Sequence, residues 1–246
     1  MDACVFTHKG DREYMEDTIS LVECFGDRKD WLFGGVFDGH AGDKVAKKAE
    51  KNLANAFLYN LNTSLSVPGA FRQSYKTISE AENFLFSGCT ALCFFVNKQD
   101  MFIANAGDSR LIIVVDGDID QITEEHTVNN LKEQKRIESK EGKIEDGYVW
   151  KGLDGRVPTR ALGDHYFESV GVISEPEIFF RTLPKNKEVF IIAATDGLWD
   201  EVDNRAAAKM VKGKKSPKEA GEEIMNSFTA FSTGTLDNIS LIVVKI

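Results

Sequence analysis

Seven short apolar runs, each standing close to Gly or Asp, constrain this 246-residue chain more than any other feature. They are Thr18 to Phe25, Trp31 to Phe37, Cys89 to Val96, Met101 to Ala106, Leu111 to Val115, Val189 to Ala194 and Ile239 to Val244. Rich in β-branched and aromatic residues and bounded by turn formers, they read as strands. Asn97 to Asp100 and Asp116 to Asp118 read as hairpin turns between neighbouring strands, which favours antiparallel pairing. The runs therefore predict an antiparallel β-sandwich.

Helical patterns come in blocks. Val45, Ala49, Leu53, Ala56 and Phe57 recur at three-or-four spacing, as do Phe71, Ser74, Tyr75, Ile78 and Leu85, each set with a polar opposite face. Ser216 followed by Pro217 reads as a cap and first helical residue, leading into Ala220, Ile224, Phe228 and Phe231. Helices that do not alternate with single strands place the chain in the α+β class, with helices flanking the sheets. The length suits one domain over residues 1–246. Thr127 to Gly171, rich in Lys, Glu and Gly, is the least regular stretch and is expected to be a mobile segment beside a site or a surface connection.

At 42% hydrophobic and 28% charged, the composition is that of a folded protein. The net charge of −9 and the lack of a dense Lys/Arg cluster argue against nucleic acid as a partner. No apolar run approaches the roughly 18 residues of a membrane span, and the first residues resemble neither a signal peptide nor, with Asp2, a myristoylation site. These features lead us to expect no membrane partner, a cytoplasmic or nuclear location and, by default, a monomer. Cys4, Cys24, Cys89 and Cys93 lack C-x-x-C spacing and read as reduced, packed thiols. A cysteine-phosphatase loop needs Arg six places after Cys, and those places hold Gly10, Asp30, Phe95 and Gln99. That chemistry is absent.

The carboxylates fall at strand ends. Phe33-Gly-Gly-Val-Phe-Asp38-Gly39-His40 runs straight into an acid, and Phe190-Ile-Ile-Ala-Ala-Thr-Asp196-Gly197 repeats the arrangement. Asp108 follows Asn105-Ala-Gly, Asp237-Asn238 precedes the last strand, and Glu16 and Asp17 precede the first. An unpaired carboxylate beside apolar strands costs several kcal/mol to desolvate. Nearby Arg12 and Arg110 are too few to compensate, so divalent cations are expected. All-oxygen ligation without His or Cys spacing points to Mg²⁺ or Mn²⁺ over Zn²⁺. Gly39 and Gly197 let the backbone approach closely, and the Gly39 carbonyl could itself be a ligand. A single strand-end Asp is ordinarily a turn former, so only the conjunction carries this reading. Asp116-Gly-Asp118-Ile-Asp120 starts like a calcium loop, but Gln121 and Thr127 stand where the sixth-position Gly and twelfth-position Glu belong.

Eight motifs occur in order: Arg12-Glu-Tyr-Met-Glu16-Asp17, Val36-Phe-Asp38-Gly39-His40-Ala-Gly42, Ser87-Gly88-Cys-Thr90-Ala91, Asn105-Ala-Gly107-Asp108-Ser109-Arg110, Thr159-Arg160-Ala-Leu-Gly163-Asp164, Ser174-Glu175-Pro176-Glu177, Thr195-Asp196-Gly197-Leu-Trp199-Asp200 and Asp237-Asn238. Together they resemble the PP2C family of metal-dependent protein serine/threonine phosphatases. The resemblance implies a sandwich of two antiparallel sheets with a helix pair on each outer face, and a two-metal centre at one end. By motif position it implies that Asp38 bridges both ions, with Glu16 and the Gly39 carbonyl on one side and Asp196 and Asp237 on the other, partly through water. It makes Asp17 a group that orients bound water, Asn238 a support for Asp237, and Asp108 with Asp196 the ligands of a third, weaker ion. Thr127 to Gly171 matches the family's flap, where Pro158-Thr159 and the residue after His126 depart from the usual pattern and leave substrate preference open.

The implied chemistry follows from charge. Two cations about 3.5–4 Å apart can bind a bridging water, make hydroxide available near neutral pH and neutralise phosphoryl oxygens during in-line attack. Arg12 is the expected phosphate clamp and His40 the expected general acid for the departing Ser or Thr oxygen. His8, His126 and His165 read as surface residues or residues supporting the site from behind. Thr90 reads equally as a group near the metal site or as a packed strand residue, and Arg160 and Asp164 read as braces of the cleft. Phosphorylated proteins are the expected substrates. The alternatives are a catalytically inactive pseudophosphatase that binds phosphoproteins, which would be expected to lack ligands that this chain retains, and a hydrolase of small phosphorylated molecules.

Overall fold

The computed structural model describes residues 1–63, 65–231 and 235–246, with side chains of residues 228–231 excepted. The chain runs β1 (Asp2–His8), β2 (Thr18–Glu23), β3 (Trp31–Phe37), β4 (Gly39–His40), α1 (Lys44–Asn62), α2 (Val67–Ser79), β5 (Gly88–Cys89), β6 (Ala91–Asn97), β7 (Asp100–Ala106), β8 (Arg110–Val115) and β9 (Asp118–Gln121). It continues with α3 (Leu131–Ser139), β10 (Lys143–Glu145), β11 (Tyr148–Lys151), β12 (Asp154–Arg156), β13 (Leu162–Gly163), β14 (Glu177–Thr182), β15 (Val189–Ala194), α4 (Asp196–Trp199), α5 (Asn204–Val211), α6 (Pro217–Phe231) and β16 (Ile239–Lys245). Two five-stranded antiparallel sheets, ordered β1-β16-β15-β8-β9 and β14-β7-β6-β3-β2, form the sandwich.

Three apolar layers hold it. Val36, Leu92, Phe94 and Ile103 of one sheet meet Leu111, Ile113, Ile191 and Ile242 of the other in the central layer. This explains why β3 and β15 are buried at every position: each has a sheet on one face and helices on the other. Under α1 and α2, Phe33, Phe57, Phe71 and Phe95 pack together, with Phe57 and Phe71 stacked at 4.3 Å between ring centroids. Each buried ring of this kind contributes about 1.5–3 kcal/mol. On the opposite outer face α5 and α6 bring Ala207, Val211 and Ile224 against Phe190 and Leu241. The α+β reading, with helix pairs flanking both sheets, is the observed architecture.

Capping sets several helix starts. The Ser66 hydroxyl accepts from Gly69 N at 3.3 Å, the Asp203 carboxylate from Ala206 N at 2.7 Å, and Ser216 from Glu219 N at 3.2 Å ahead of Pro217. Phe228 and Phe231, the last apolar positions of the predicted C-terminal helix, have side chains outside the described residues.

Local details differ from the sequence expectations. The Thr18 run stops as a strand at Glu23, because Cys24 and Gly26 take left-handed backbone angles and turn Phe25 into the core. α2 ends at Ser79, so Leu85 lies in a loop and is exposed. Thr90 interrupts the predicted Cys89 strand. β1, β14 and α5 are additional elements whose apolar residues alternate with polar ones or are few. Thr127 to Gly171 is more regular than expected: α3 and a three-stranded sheet, β10-β11-β12, enclose a small core of Ile137, Val149, Phe167 and Val172. Among the described residues, no helix is long and apolar enough to cross a membrane. Cys89 and Cys93 are buried free thiols as expected and Cys4 is half-buried, but Cys24 is exposed, placed outside by the turn it occupies.

Candidate metal centre

At one end of the sandwich a cleft of about 410 Å³ is lined by Arg12, Glu16, Asp38, Gly39, His40, Asp108, Asp196 and Asp237, together with Tyr14, Tyr148 and the Gly155–Pro158 segment of the flap. Eight of the nine residues singled out from sequence thus share one cavity. Asp17, the ninth, is buried behind it, where its Oδ2 accepts from Thr195 Oγ1 at 2.9 Å.

Backbone geometry delivers each acid. Asp38 follows the buried β3 strand, and its peptide is clamped on both sides: Thr90 N donates to Asp38 O at 2.9 Å, and Asp38 N donates to Thr90 Oγ1 at 3.3 Å. Thr90 in turn shares a 2.9 Å bond with Ser109, next to Asp108. The two readings of Thr90 therefore merge, since a packed strand residue holds the site from behind. Asn238 gathers the N-terminal loop by accepting from Glu16 N at 2.7 Å and donating to Lys9 O and Tyr14 O. Glu16 Oε1 accepts from Gly42 N at 2.6 Å. A Cβ at Gly39 would lie 2.4 Å from Glu16 O, and one at Gly197 would lie 2.1 Å from Asn238 O, so both close approaches demand glycine.

The electrostatics are those of acids without internal compensation. Burial first, then the charges of Asp17 and Asp196, push the Asp38 carboxyl well above the usual carboxylate range. Burial and then Asp196 do the same to Asp108, and burial and then Asp237 raise Asp196. Burial carries Asp17 to about 7 despite its bond from Thr195. The expected arginines do not relieve this. Arg12 Nη2 donates to Asp237 Oδ2 at 2.6 Å at the cleft mouth, and Arg110 is engaged by Glu125 and Asn204. Among the described residues, no Lys or Arg forms an ion pair with Asp38, Asp108 or Asp196. Asp196 Oδ1 is buried with no hydrogen-bond partner.

Hard cations fit this donor set, which is oxygen only, converging and, apart from Arg12 on Asp237, without positive charge. Among the described residues, no three His, Cys, Asp or Glu side chains already close around one point as a single-ion shell. Ions held here would complete their shells with water, as Mg²⁺ readily does.

Three features extend or correct the sequence reading. Asp164 does more than brace the cleft: fully buried, it accepts from His40 Nε2 at 2.5 Å and from Arg156 Nε at 3.1 Å. Asp200, one helical turn after Asp196, is pushed to about 6 by burial and then by Asp196, and its charge also acts on Asp108. Its four-residue spacing from Asp196 was the available signal. His126 takes the second of the two readings left open for it, support of the site from behind. It is buried, its Nδ1 accepts from Gly107 N at 3.2 Å, its Nε2 lies 3.2 Å from Glu177, and burial, followed by the charge of Arg160, lowers its pKa. His8 is exposed, and half-buried His165 donates to Ser79 O.

Comparison with known proteins bears on the whole chain. A family model described as protein phosphatase 2C matches residues 2–239. A probable protein phosphatase 2C 52 of Oryza sativa subsp. japonica is 31% identical over 96% of this chain, and protein phosphatase 2C homolog 1 of Saccharomyces cerevisiae is 30% identical over 95% of this chain and 88% of its own length. The chain spans about half the length of the rice relative, at 49%. Among solved structures, the serine-threonine phosphatase 2C from Toxoplasma gondii superposes with a TM-score of 0.84 at 19% identity, covering 99% of this chain and 94% of that one, which is a likeness of fold.

Proposed function

This chain belongs to the protein phosphatase 2C family, and from that premise we propose that it hydrolyses phosphoserine and phosphothreonine in proteins, with Mg²⁺ or Mn²⁺ held in the cleft. The observation that carries the reading is the convergence of buried Asp108 with half-buried Asp38 and Asp196 on one cleft, all raised in pKa by desolvation and without a cationic side-chain partner. Such a cluster is stable in its ionised form only with cations added from outside.

Glu16, Asp38, the Gly39 carbonyl, Asp196 and Asp237 would hold two ions, and Asp108 with Asp196 a third. The chemistry supplied by a bound pair of divalent cations is acidification of water and neutralisation of phosphoryl charge. The remaining work falls to the chain itself. Arg12, with 58% of its side chain exposed at the cleft mouth, offers a planar fork to the substrate phosphate, since Asp237 takes one of its five donors. His40 Nε2–H donates to Asp164, leaving Nδ1 as the nitrogen that delivers a proton to the departing Ser or Thr oxygen. Asp164 is thus a positioning residue: it fixes the ring and its tautomer. Asp17, behind the acids, orients water in the cleft.

Assay of a phosphothreonine peptide with Mn²⁺, with and without EDTA, tests the proposal. The expected result is turnover that EDTA abolishes and added Mn²⁺ restores. Turnover indifferent to EDTA, or none with any divalent ion, refutes it.

A further inference from the structure

The proposed chemistry leaves unused an apolar ledge beside the cleft. Leu85 and Phe86 are 43% and 45% exposed, and Leu153, on the turn between β11 and β12, is 96% exposed. The Phe86 ring packs on Tyr166 at 4.9 Å, and a Cβ at Gly152 would lie 3.1 Å from the Tyr166 hydroxyl, so loop, flap turn and tyrosine adjoin. The ammonium of Lys151 sits 4.1 Å from the centroid of the Tyr166 ring.

This ledge is ordered as well as exposed. Asp164 N donates to Ser87 O at 3.1 Å, His165 N to Phe84 O at 3.1 Å and Tyr166 N to Leu85 O at 2.9 Å, stitching the loop to the segment that holds His40. Arg156 makes the connection to the cleft: it lines the cavity, its Nε donates to Asp164, and its Nη2 donates to Phe86 O at 2.7 Å. Apolar surface presented on a fixed frame loses little entropy on binding and is the usual signature of a contact site. Its continuity with the His40 wall puts it on the side from which the alcohol leaves.

Resting on the phosphatase reading, we propose that Leu85, Phe86 and Leu153 determine specificity by seating an apolar side chain of the phosphoprotein substrate. The reach of one arginine separates ledge from cleft, which places that side chain about two to three residues from the phosphoresidue along an extended peptide. An aliphatic or aromatic residue there gains burial that a serine cannot, whereas p-nitrophenyl phosphate reaches only the cleft.

The test compares a phosphothreonine peptide of otherwise small polar residues with versions carrying a single leucine at each position two or three residues before or after the phosphoresidue. At one of these positions kcat/KM is expected to rise about 10-fold through KM. Leu153→Ser and Phe86→Ser should lose most of that gain while turning over p-nitrophenyl phosphate like the unaltered protein; L153S changes a nearly fully exposed side chain and keeps the test sound should F86S fold poorly. Equal turnover of all peptides, or variants that keep the preference, overturns the ledge but leaves the phosphatase. Absence of turnover of p-nitrophenyl phosphate and of every phosphopeptide removes both. Loss of a dimer on Phe86→Ser, with peptide preference unchanged, assigns the ledge to a second copy of this chain and also overturns the proposal.

Discussion

Two regions of this molecule bury carboxylates, and they solve the problem in opposite ways. At the base of the flap, Glu133 is 1% exposed yet accepts from Arg160 at 2.8 and 3.0 Å, from Arg136 at 2.7 Å and from Thr159 at 2.8 Å. Against the burial that would raise it, these partners hold Glu133 down at about 2. At the cleft, buried Asp17 and Asp108 and half-buried Asp38 and Asp196 are crowded with one another's charge and rise in pKa. A buried acid compensated from within is architecture, whereas a group of buried acids left uncompensated is a demand for an external cation. Asp164 lies between the two cases, paired with Arg156 and with His40, the proposed proton donor.

The contrast is broken most severely in the cleft. Asp38→Asn or Asp196→Asn should lower kcat by about 10³-fold or more in steady-state assays with Mn²⁺, since the cation pair is worth several kcal/mol of transition-state stabilisation. The same variants should raise the melting temperature of the EDTA-treated protein, because one repelling charge is gone. At the flap base the signs reverse: Glu133→Gln should cost about 1–3 kcal/mol in urea unfolding by removing the charge that two half-buried guanidiniums share. A neutral result there would mean the pairs are solvated and the comparison is false.

Asp164→Asn keeps the shape but removes the charge behind His40, and a drop of about 10²-fold in kcat is expected. As a positioning effect it should be smaller with p-nitrophenyl phosphate, whose leaving group needs no proton, and an equal loss on both substrates would contradict the role.

The smallest effect is the pH dependence of stability. Asp17 and Asp200, raised to about 7 and about 6 from 3.8, bind protons more tightly in the folded than in the unfolded chain. Their contribution is full below about pH 4 and lost as pH rises toward about 7, so EDTA-treated protein should lose stability across that window, mostly through buried Asp17, because solvent screens the exposed Asp200. Glu133, depressed from 4.5 to about 2, contributes above about pH 4.5 and loses that contribution as pH falls toward 2. Hydrogen exchange should therefore show the flap base opening first in acid, and saturating Mg²⁺ should flatten the slope of melting temperature with pH on the neutral side. A slope unchanged by Mg²⁺ would place the ions away from these acids.

Much of the site was legible because strand ends are legible: an apolar run such as Trp31 to Phe37 leaves Asp38 only one place to emerge. Asp164 was underestimated, and His126 left between two readings, for the same reason in reverse. Neither follows a strong strand, and their partners His40 and Gly107 lie 124 and 19 residues away in the chain. The flap's regular structure was hidden because three strands of three or four residues bury too few side chains to leave a periodic pattern.

By itself the amino-acid order determined the strands, most helices and the identity of the acids, because local periodicity and turn chemistry act over a few neighbouring residues. Only the tertiary structure decided which of those acids receive a cation from the protein. Asn238 reaching back to Glu16, Asp164 meeting His40 and Arg160 meeting Glu133 are contacts across the chain. Desolvation and pairing exist only once the sheets have closed, so the difference between a braced carboxylate and a metal-seeking one is a property of the fold.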